Sequence, residues 1–216
     1  MSSYNRFILN MLPFSLRDTL LEKRRLNYRK KIISEWAEKG RPLPPPHPVK
    51  QTAIEEYQKK FLYDTLIETG TYKGDMVETQ RRNFKKIYSI ELGADLYREC
   101  KERFKRFGHI TLLQGDSTSV LPELMKGISQ PAVFWLDGHY SGGVTALGAV
   151  QCPIYGELKS IFANDLKHVI LIDDAKDFNG TKDYPSIEEL SKFILNIKPN
   201  YSIEVKDNII RVFPSK

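Results

Sequence analysis

Short apolar runs alternate with helical patterns over most of this 216-residue chain, and this alternation restricts the fold more than any other feature. The apolar runs are Thr65–Glu68, Lys86–Glu91, Ile110–Gln114, Ala132–Asp137 and His168–Asp173, and the helical patterns between them are Asp75–Phe84, Ala94–Phe107, Ser117–Lys126 and Ile154–Asn164. Regular exchange of strand and helix is typical of parallel sheets with helices on both faces. The sequence therefore predicts a doubly wound α/β sheet that binds ligands beyond the carboxyl ends of its strands.

The last part of the chain has a different pattern. Ser186 and Glu189 stand at the two ends of a capping-box sequence, which predicts a helix that runs to about Ile197. Tyr201–Val205 and Ile209–Phe213 then alternate apolar and polar residues as strands do. We expect this segment to close the sheet with an antiparallel hairpin.

The composition excludes several classes of protein. Cys100 and Cys152 are too few for a disulfide framework or a zinc site. No apolar run approaches the roughly 18 residues that span a membrane. The short apolar patch near the start is broken by Asn10 and Pro13, which argues against a cleaved signal peptide. We therefore expect a cytoplasmic protein with one α/β domain and an extension.

The extension is expected to be helical and then extended. Ser15–Lys39 has helix-forming composition, with Ser15 as the expected N-cap and Gly40 as the stop signal. The prolines that follow cannot continue a helix, so they predict a spacer before a second helix, Lys50–Phe61. We therefore divide the chain into a basic helical extension with its spacer, residues 1–49, and a domain of residues 50–216.

The net charge of +6 is concentrated in the first part of the chain. Residues 1–61 hold 13 Lys and Arg against 6 Asp and Glu, whereas residues 62–216 hold 20 against 21. One interpretation is a solvated helix that packs on the domain or on a second subunit, as in a homo-oligomer. The other is attraction to anionic lipid or to a phosphate-bearing substrate, which would place the protein at the inner face of the membrane. Nucleic acid is the least favoured partner, because few aromatic residues stand among the basic ones.

The turn after the first apolar run contains an acidic residue, Glu68, and two glycines, Gly70 and Gly74. A backbone that turns sharply after a strand, with no side chains in the way, can lie against a nucleotide-like ligand. A dinucleotide fold would place three glycines as G-x-G-x-x-G, whereas this turn has only two, in the pattern E-x-G-x-x-x-G.

Two further acidic residues follow the next two runs. Glu91 ends the second run and can accept hydrogen bonds from both hydroxyls of a ribose; a solvated strand-end glutamate is the alternative. Asp116 stands before Ser117 and can accept a bond from an adenine amino group, or it can cap the following helix. The order of Glu68, Glu91 and Asp116 across three successive strand ends favours a nucleoside site.

Three more carboxylates follow the fourth and fifth runs. Asp137 begins a loop with Gly138 and His139, and Asp173 is followed directly by Asp174. Adjacent carboxylates after a buried strand repel each other unless a cation neutralises them. Because the two strands should be neighbours, the three carboxylates could form a hard-oxygen cluster for Mg²⁺, Mn²⁺ or Ca²⁺. The alternative is that they cap helices or face solvent.

Together these motifs resemble the class I S-adenosylmethionine (SAM) dependent methyltransferases. Within that class they resemble the metal-dependent O-methyltransferases that act on sugar hydroxyls, typified by macrocin O-methyltransferase, and the resemblance covers roughly residues 50–213. It implies a Rossmann-like fold, SAM, Mg²⁺ or another hard divalent cation, and a place in polysaccharide or antibiotic assembly. The residues it assigns to the cofactor are Glu68, Thr69, Gly70, Thr71, Gly74, Glu91, Asp116, Ser117 and Asp137, and those it assigns to the metal are Asp137, Asp173 and Asp174.

The resemblance also implies how the reaction proceeds. Mg²⁺ would lower the pKa of a sugar or other vicinal hydroxyl of a small molecule or glycan. In the family the general base is an aspartate two residues after the first metal aspartate, and this chain has His139 there. A histidine can accept the proton near neutral pH, or it can pack or bind phosphate. We assign the catalytic roles to Asp137 and His139.

Other residues near these loops have less specific interpretations. Tyr140, Ser141, Thr145 and Lys176 could line an acceptor pocket, and Glu157 either supports the metal site or favours the dipole of its helix. A nucleic-acid methyltransferase that uses the basic arm is the alternative function. The N/D-P-P-Y/F motif typical of base-amino methylation is absent, because the equivalent segment is Asp-Gly-His-Tyr.

Overall fold

The computed structural model describes residues 12–138, 152–181 and 183–215. The helices are α1 (Phe14–Glu38), α2 (His47–Phe61), α3 (Asp75–Gln80), α4 (Ala94–Phe104), α5 (Ser117–Lys126), α6 (Ile154–Ile161) and α7 (Ile187–Ile197), with a 3-10 turn at Ala175–Asp177. The strands are β1 (Thr65–Thr69), β2 (Lys86–Glu91), β3 (Ile110–Gln114), β4 (Val133–Leu136), β5 (Val169–Ile172), β6 (Tyr201–Lys206) and β7 (Ile209–Pro214). The chain divides into two compact units, Met1–Val49 and Lys50–Lys216.

The described residues of the larger unit form a seven-stranded sheet in the order β3-β2-β1-β4-β5-β7-β6. The first five strands are parallel, and β7 runs antiparallel to both β5 and β6. This confirms the predicted doubly wound, Rossmann-like sheet with a C-terminal antiparallel hairpin, and the predicted N-terminal helix precedes it in the sequence. The strand order reverses between β1 and β4, and such a switch point is where open α/β sheets bind ligands.

The central strands β1, β4 and β5 are buried on both faces. One core cluster includes Ile67 and Phe134 and packs under α5, α6 and α7, and the other includes Leu66 and Trp135 and packs under α2, α3 and α4. Successive strand residues point to opposite faces, so neighbours in the sequence enter different clusters. Strands covered on both faces have continuous apolar sequences, and both β4 and β5 consist entirely of apolar residues.

The predicted strand ends differ from the observed ones by one residue at the site. Strand β4 ends at Leu136 and β5 at Ile172, so Asp137 and Asp173 stand immediately beyond them. The capping box of α7 is confirmed: the Ser186 backbone N–H donates to Glu189 Oε2 at 2.8 Å, and the Glu189 N–H donates to Ser186 Oγ at 3.2 Å.

In the smaller unit, the prediction that Ser15 caps the first helix is wrong. Helix α1 begins at Phe14 with Pro13 at the N-cap position, and the Pro13 carbonyl accepts from the Arg17 N–H at 3.0 Å. Pro13 has φ −51° and ψ 144°, and the N–H that it lacks would have had no partner within the helix. Gly40 follows the last turn with φ +81°, as the stop signal predicted.

The proline-rich spacer is shorter than predicted. His47 and Pro48 already belong to the first turn of α2, where a missing N–H costs no helical hydrogen bond. In the part of the chain that the structure describes, none of the helices is long and apolar enough to cross a membrane.

Candidate functional site

The turn after β1 lies directly against the residues that follow β4. Gly70 has φ +87°, and a Cβ built on it would lie 2.3 Å from the Asp137 carbonyl oxygen. The Asp137 N–H also donates to the Thr69 carbonyl at 3.0 Å. Only glycine fits at position 70, because both the positive φ and the contact exclude a side chain. The turn and the loop after β4 therefore meet at the switch point of the sheet.

Gly74 is confined in the same way from the other side. It has φ +76°, and a Cβ built there would lie 2.5 Å from the Phe104 ring on α4. This contact presses the beginning of α3 onto α4. Both glycines of the E-x-G-x-x-x-G pattern are thus required by close packing as well as by backbone conformation.

Glu68 lies beneath this turn and is buried. Its Oε2 accepts a hydrogen bond from the Ser89 hydroxyl, which lies 2.6 Å from Thr71 Oγ1. Burial raises the pKa of Glu68 to about 8; the Ser89 bond opposes the shift, while the charges of Asp137 and Glu91 add to it. Glu68 therefore carries a proton at neutral pH and stabilises the turn as an internal group.

Glu91 holds the turn from the neighbouring strand. Its Oε2 accepts from the Tyr72 N–H at 2.7 Å and its Oε1 accepts from the Gly93 N–H at 2.8 Å. The residue is buried, so the predicted alternative of a solvated glutamate is wrong. Both carboxylate oxygens retain lone pairs that could accept from the hydroxyls of a ribose.

Asp116 acts as the N-cap of α5, which confirms the structural alternative predicted for it. Its Oδ1 accepts from the Thr118 N–H at 2.8 Å and from the Thr118 hydroxyl at 2.5 Å. Ser117 is the first residue of the helix. Whether these two residues also contact an adenine stays a prediction.

Thr69, the last residue of β1, places its hydroxyl at the carboxyl edge of the sheet. Its side chain is fully buried, and among the residues that the structure describes its Oγ1 has no hydrogen-bond partner. A Cβ built on Gly138 would lie 3.1 Å from this oxygen. Buried hydroxyls without a partner are rare in proteins, and a bound ligand is one way to satisfy them. The turn, Glu91 and Thr69 together fit the predicted cofactor.

Asp173 is paired with a lysine. Its side chain is buried, and its Oδ2 is in contact with Lys50 Nζ on α2, which also lies 3.9 Å from Asp174 Oδ1. Burial raises the pKa of Asp173, and the Lys50 charge opposes that shift. Burial lowers the pKa of Lys50, but the charges of Asp173, Asp137 and Asp174 outweigh it, so the pKa is raised above 10.5. Lys50 therefore carries a positive charge.

The hairpin turn between β6 and β7 fixes Asp174. Asn208 Nδ2 donates to Asp174 Oδ1 at 3.0 Å, and Asn208 Oδ1 accepts from the Lys176 N–H at 2.9 Å. Asp174 has φ +50°, an unusual conformation for a residue with a side chain. These two hydrogen bonds tie the turn beyond β5 to the hairpin turn.

The predicted metal site is not present in the described residues. They contain no group of three or more His, Cys, Asp or Glu side chains that could hold a metal ion. Asp173 Oδ1 accepts from the Asp174 N–H at 2.8 Å, and its other oxygen contacts Lys50. As placed, Asp137, Asp173 and Asp174 do not fit a divalent cation, which requires several oxygens turned toward one point.

Several predicted residues lie outside the described part of the chain or have ordinary roles in it. His139, Tyr140, Ser141 and Thr145 are outside the described residues. Lys176 is exposed beside the Asp174 turn. Glu157 is buried in the first turn of α6, a position that suits the dipole interpretation, and its support of a metal site stays a prediction.

Sequence analysis missed Lys50, Ser89 and Asn208. Ser89 faces Glu68 in the parallel register of β1 and β2, so strand alignment could have found it. Asn208 stands in an Asp-Asn hairpin turn, where a residue with positive φ is expected. Lys50 has no comparable signal, because its partner lies 123 residues away in the sequence.

Comparison with known proteins gives a short sequence match. No protein-family model matches the chain. A segment of 67 residues, 31% of the chain, is 34% identical to a protein of Methanosarcina barkeri (strain Fusaro / DSM 804) named "Probable ribosomal RNA small subunit methyltransferase A". The segment spans 23% of the length of that protein.

The fold is similar to that of solved methyltransferases. The O-methyltransferase from Bacillus cereus in complex with S-adenosylhomocysteine (SAH) has a TM-score of 0.56 and 13% identity over 87% of this chain and 90% of that one. The O-methyltransferase TomG from Streptomyces achromogenes, in complex with SAM, has a TM-score of 0.55 and 14% identity over 87% of this chain and 89% of that one. The 23S rRNA methyltransferase ErmE has a TM-score of 0.51 and 13% identity over 76% of this chain and 67% of that one. The chain therefore has a Rossmann-like methyltransferase fold.

Proposed function

We propose that the chain is a SAM-dependent O-methyltransferase whose acceptor is a hydroxyl of a small molecule or a glycan. The observation that carries this proposal is the contact between Gly70 and Asp137 at the switch point of the sheet. Buried acids flank this contact, Glu91 on one side and Asp173 on the other. The similar folds of SAH-bound and SAM-bound O-methyltransferases support the choice of donor and reaction.

The donor would lie over the Gly70 turn. Glu91 stands where the two ribose hydroxyls could donate to its carboxylate, and the unpartnered hydroxyl of Thr69 offers a further polar contact. Asp116 and Ser117 lie at the beginning of α5, where they could contact the adenine. The donor's positively charged sulfonium suits an edge lined by carboxylates.

The reaction would be a direct displacement. The acceptor oxygen attacks the methyl carbon of SAM, a carbon–oxygen bond forms as the carbon–sulfur bond breaks, and the bonding electrons pass to sulfur, which leaves neutral SAH. The hydroxyl proton passes to a base, for which we propose His139 or the carboxylate of Asp137. A sulfonium is a good leaving group, so most of the catalysis would come from aligning the acceptor with the methyl group.

Titration calorimetry with SAH tests the donor site. We expect the wild-type protein to bind SAH with a dissociation constant on the order of micromolar. Glu91→Gln should weaken binding by about tenfold, since it removes a charge that accepts hydrogen bonds. Glu188→Gln is the matched control, because Glu188 is exposed on α7 and paired with Lys192. Absence of SAH binding in the wild type would refute the proposal.

RNA methylation is the second candidate function. The observations that favour it are the identity to the archaeal protein over 67 residues and the similarity in fold to ErmE. The two functions can be separated with SAM that carries a tritiated methyl group. Label transferred to total RNA would favour the second function, and label transferred to a glycan or small-molecule extract would favour the first.

For residues 1–49 we propose a role in association, either with a second subunit or with anionic lipid. The basic side chains of Lys23, Arg24 and Arg25 on α1 support the lipid role. Reversing these three charges in the full chain should abolish sedimentation with anionic liposomes if lipid is the partner. Light scattering of the same variant would report any change of subunit number.

A further inference from the structure

Lys50 is a partly buried cation at the carboxyl edge of the sheet, beside Asp173 and Asp174. Its side chain is only 16% exposed, and it projects from α2 to contact Asp173 Oδ2 and approach Asp174 Oδ1. A lysine is rarely buried to this degree unless an acidic partner compensates for its lost hydration. The partners here are the adjacent carboxylates Asp173 and Asp174, for which the sequence analysis identified no protein counter-charge.

A divalent ion would compete with this ammonium for Asp173. Mg²⁺ would need an oxygen of Asp173 as a direct ligand, and Oδ2 already contacts Lys50 while Oδ1 accepts from the Asp174 N–H. Asp174 Oδ1 accepts from Asn208 Nδ2. These oxygens keep further lone pairs, so the obstacle is charge: two cations within a few ångströms, largely shielded from water, repel strongly. Lys50 therefore opposes metal binding to Asp173.

We propose that the ammonium group of Lys50 is the resident cation of Asp173 and Asp174, beyond the end of β5, and takes the place predicted for Mg²⁺, so that methyl transfer by this chain needs no divalent metal. This inference rests on the proposed function for the reaction, but its structural part stands separately. Lys50 neutralises Asp173 and Asp174 and holds the turn beyond β5 in position. It is therefore a positioning residue, because it acts through these two carboxylates.

Binding of Mn²⁺ tests this inference directly. It is measured as the decrease in the electron paramagnetic resonance signal of free Mn²⁺. We expect the wild-type full chain, with and without SAH, to bind Mn²⁺ no better than an exposed carboxylate does. Lys50→Ala removes the ammonium that contacts Asp173 and competes with a metal ion, so it should bind Mn²⁺ about tenfold more tightly than the wild type or better. Lys50→Arg restores a cation and should behave like the wild type.

The matched control is Lys85→Ala, because Lys85 forms an exposed ion pair with Asp64 at the opposite end of β1. It should leave Mn²⁺ binding unchanged. If Lys50→Ala does not fold, Lys50→Met is tested in its place, because methionine keeps an apolar side chain of similar length without the charge. Tight Mn²⁺ binding by the wild type, or no gain in either Lys50 variant, would overturn the inference.

Failure of this inference is distinguishable from failure of the proposed function. A wild type that binds SAH and also binds Mn²⁺ tightly would keep the methyltransferase and reject the role of Lys50. A wild type that binds neither ligand, beside a Lys50→Ala variant that binds Mn²⁺, would reject the methyltransferase and keep the role of Lys50. Once an acceptor is known, wild-type turnover should be unchanged by a chelator.

Discussion

Gly70 and Asp137 approach each other so closely that a Cβ on Gly70 would lie 2.3 Å from the Asp137 carbonyl oxygen. Two loops that are far apart in the sequence are thereby held backbone against backbone at the switch point between β1 and β4. Any side chain at position 70 would push the loop after β4 away from the turn after β1. The geometry of the proposed donor site therefore depends on the absence of one methyl group.

Gly70→Ala should destabilise the protein and abolish SAH binding. The positive φ alone costs a residue with a Cβ about 1–2 kcal/mol, and the contact with a backbone oxygen adds to this because backbone cannot rotate away. We expect a loss of more than about 2 kcal/mol in the free energy of unfolding. Urea denaturation and calorimetry with SAH would measure the two effects.

Gly180→Ala is the matched control for this prediction. Gly180 has φ +80°, but a Cβ there would meet its nearest neighbour, Ser186 Cβ, at 3.7 Å, which is ordinary contact. This variant should lose only the conformational cost of about 1–2 kcal/mol and should bind SAH normally. Equal losses in the two variants would show that the contact with Asp137 is unimportant.

Glu68 should make stability depend on pH. Its pKa is raised from 4.5 in the unfolded chain to about 8 in the folded protein. The stabilisation from its bound proton is therefore complete below pH 4.5 and is lost as the pH rises through about 8. Relative to Glu68→Gln, the wild type should lose up to about 1.4 kcal/mol of unfolding free energy per pH unit within this range. Parallel stability curves for the two proteins would contradict this assignment.

His168 should produce the opposite dependence. Burial, assisted by the charge of Lys198, lowers its pKa from 6.5 to about 4. Its Nδ1 accepts from the Ala132 N–H at 3.1 Å, which keeps the ring neutral. Its stabilisation is therefore complete above pH 6.5 and is lost as the pH falls through about 4. Nuclear magnetic resonance titration should show no His168 protonation above about pH 5; a midpoint near 6.5 would contradict the prediction.

Asn208 should stabilise the Asp174 turn through its side chain. Asn208→Gly suits the φ of +62° but removes the bonds to Asp174 and Lys176, and it should cost about 1 kcal/mol. Asn208→Ala adds the conformational cost of a Cβ and should cost roughly 1–2 kcal/mol more. Thermal unfolding of both variants would test this. If Asn208→Ala, which keeps a Cβ and removes the same bonds, is as stable as the wild type, the side-chain bonds contribute nothing.

The fold could be predicted from the sequence because its signals are local. Strands β2 and β3 and helix α5 have the bounds that periodicity predicted, since apolar alternation and caps act over a few residues. The start of α1 was predicted wrongly, because Pro13 competes with Ser15 for the cap position. The turn with Gly70 and Gly74 could also be predicted, since a positive φ strongly favours glycine.

The arrangement of the site could be predicted only in part. The acids at the carboxyl edge could be identified from the order of residues alone, because a residue that ends a parallel strand must lie there. Their partners depend on the folded arrangement: Ser89 binds Glu68 through strand pairing, and Lys50 reaches Asp173 through the docking of α2. These contacts join distant segments, and their free energy depends on packing and burial that no local pattern encodes. The sequence located the carboxylates, and the fold supplied their counter-charge.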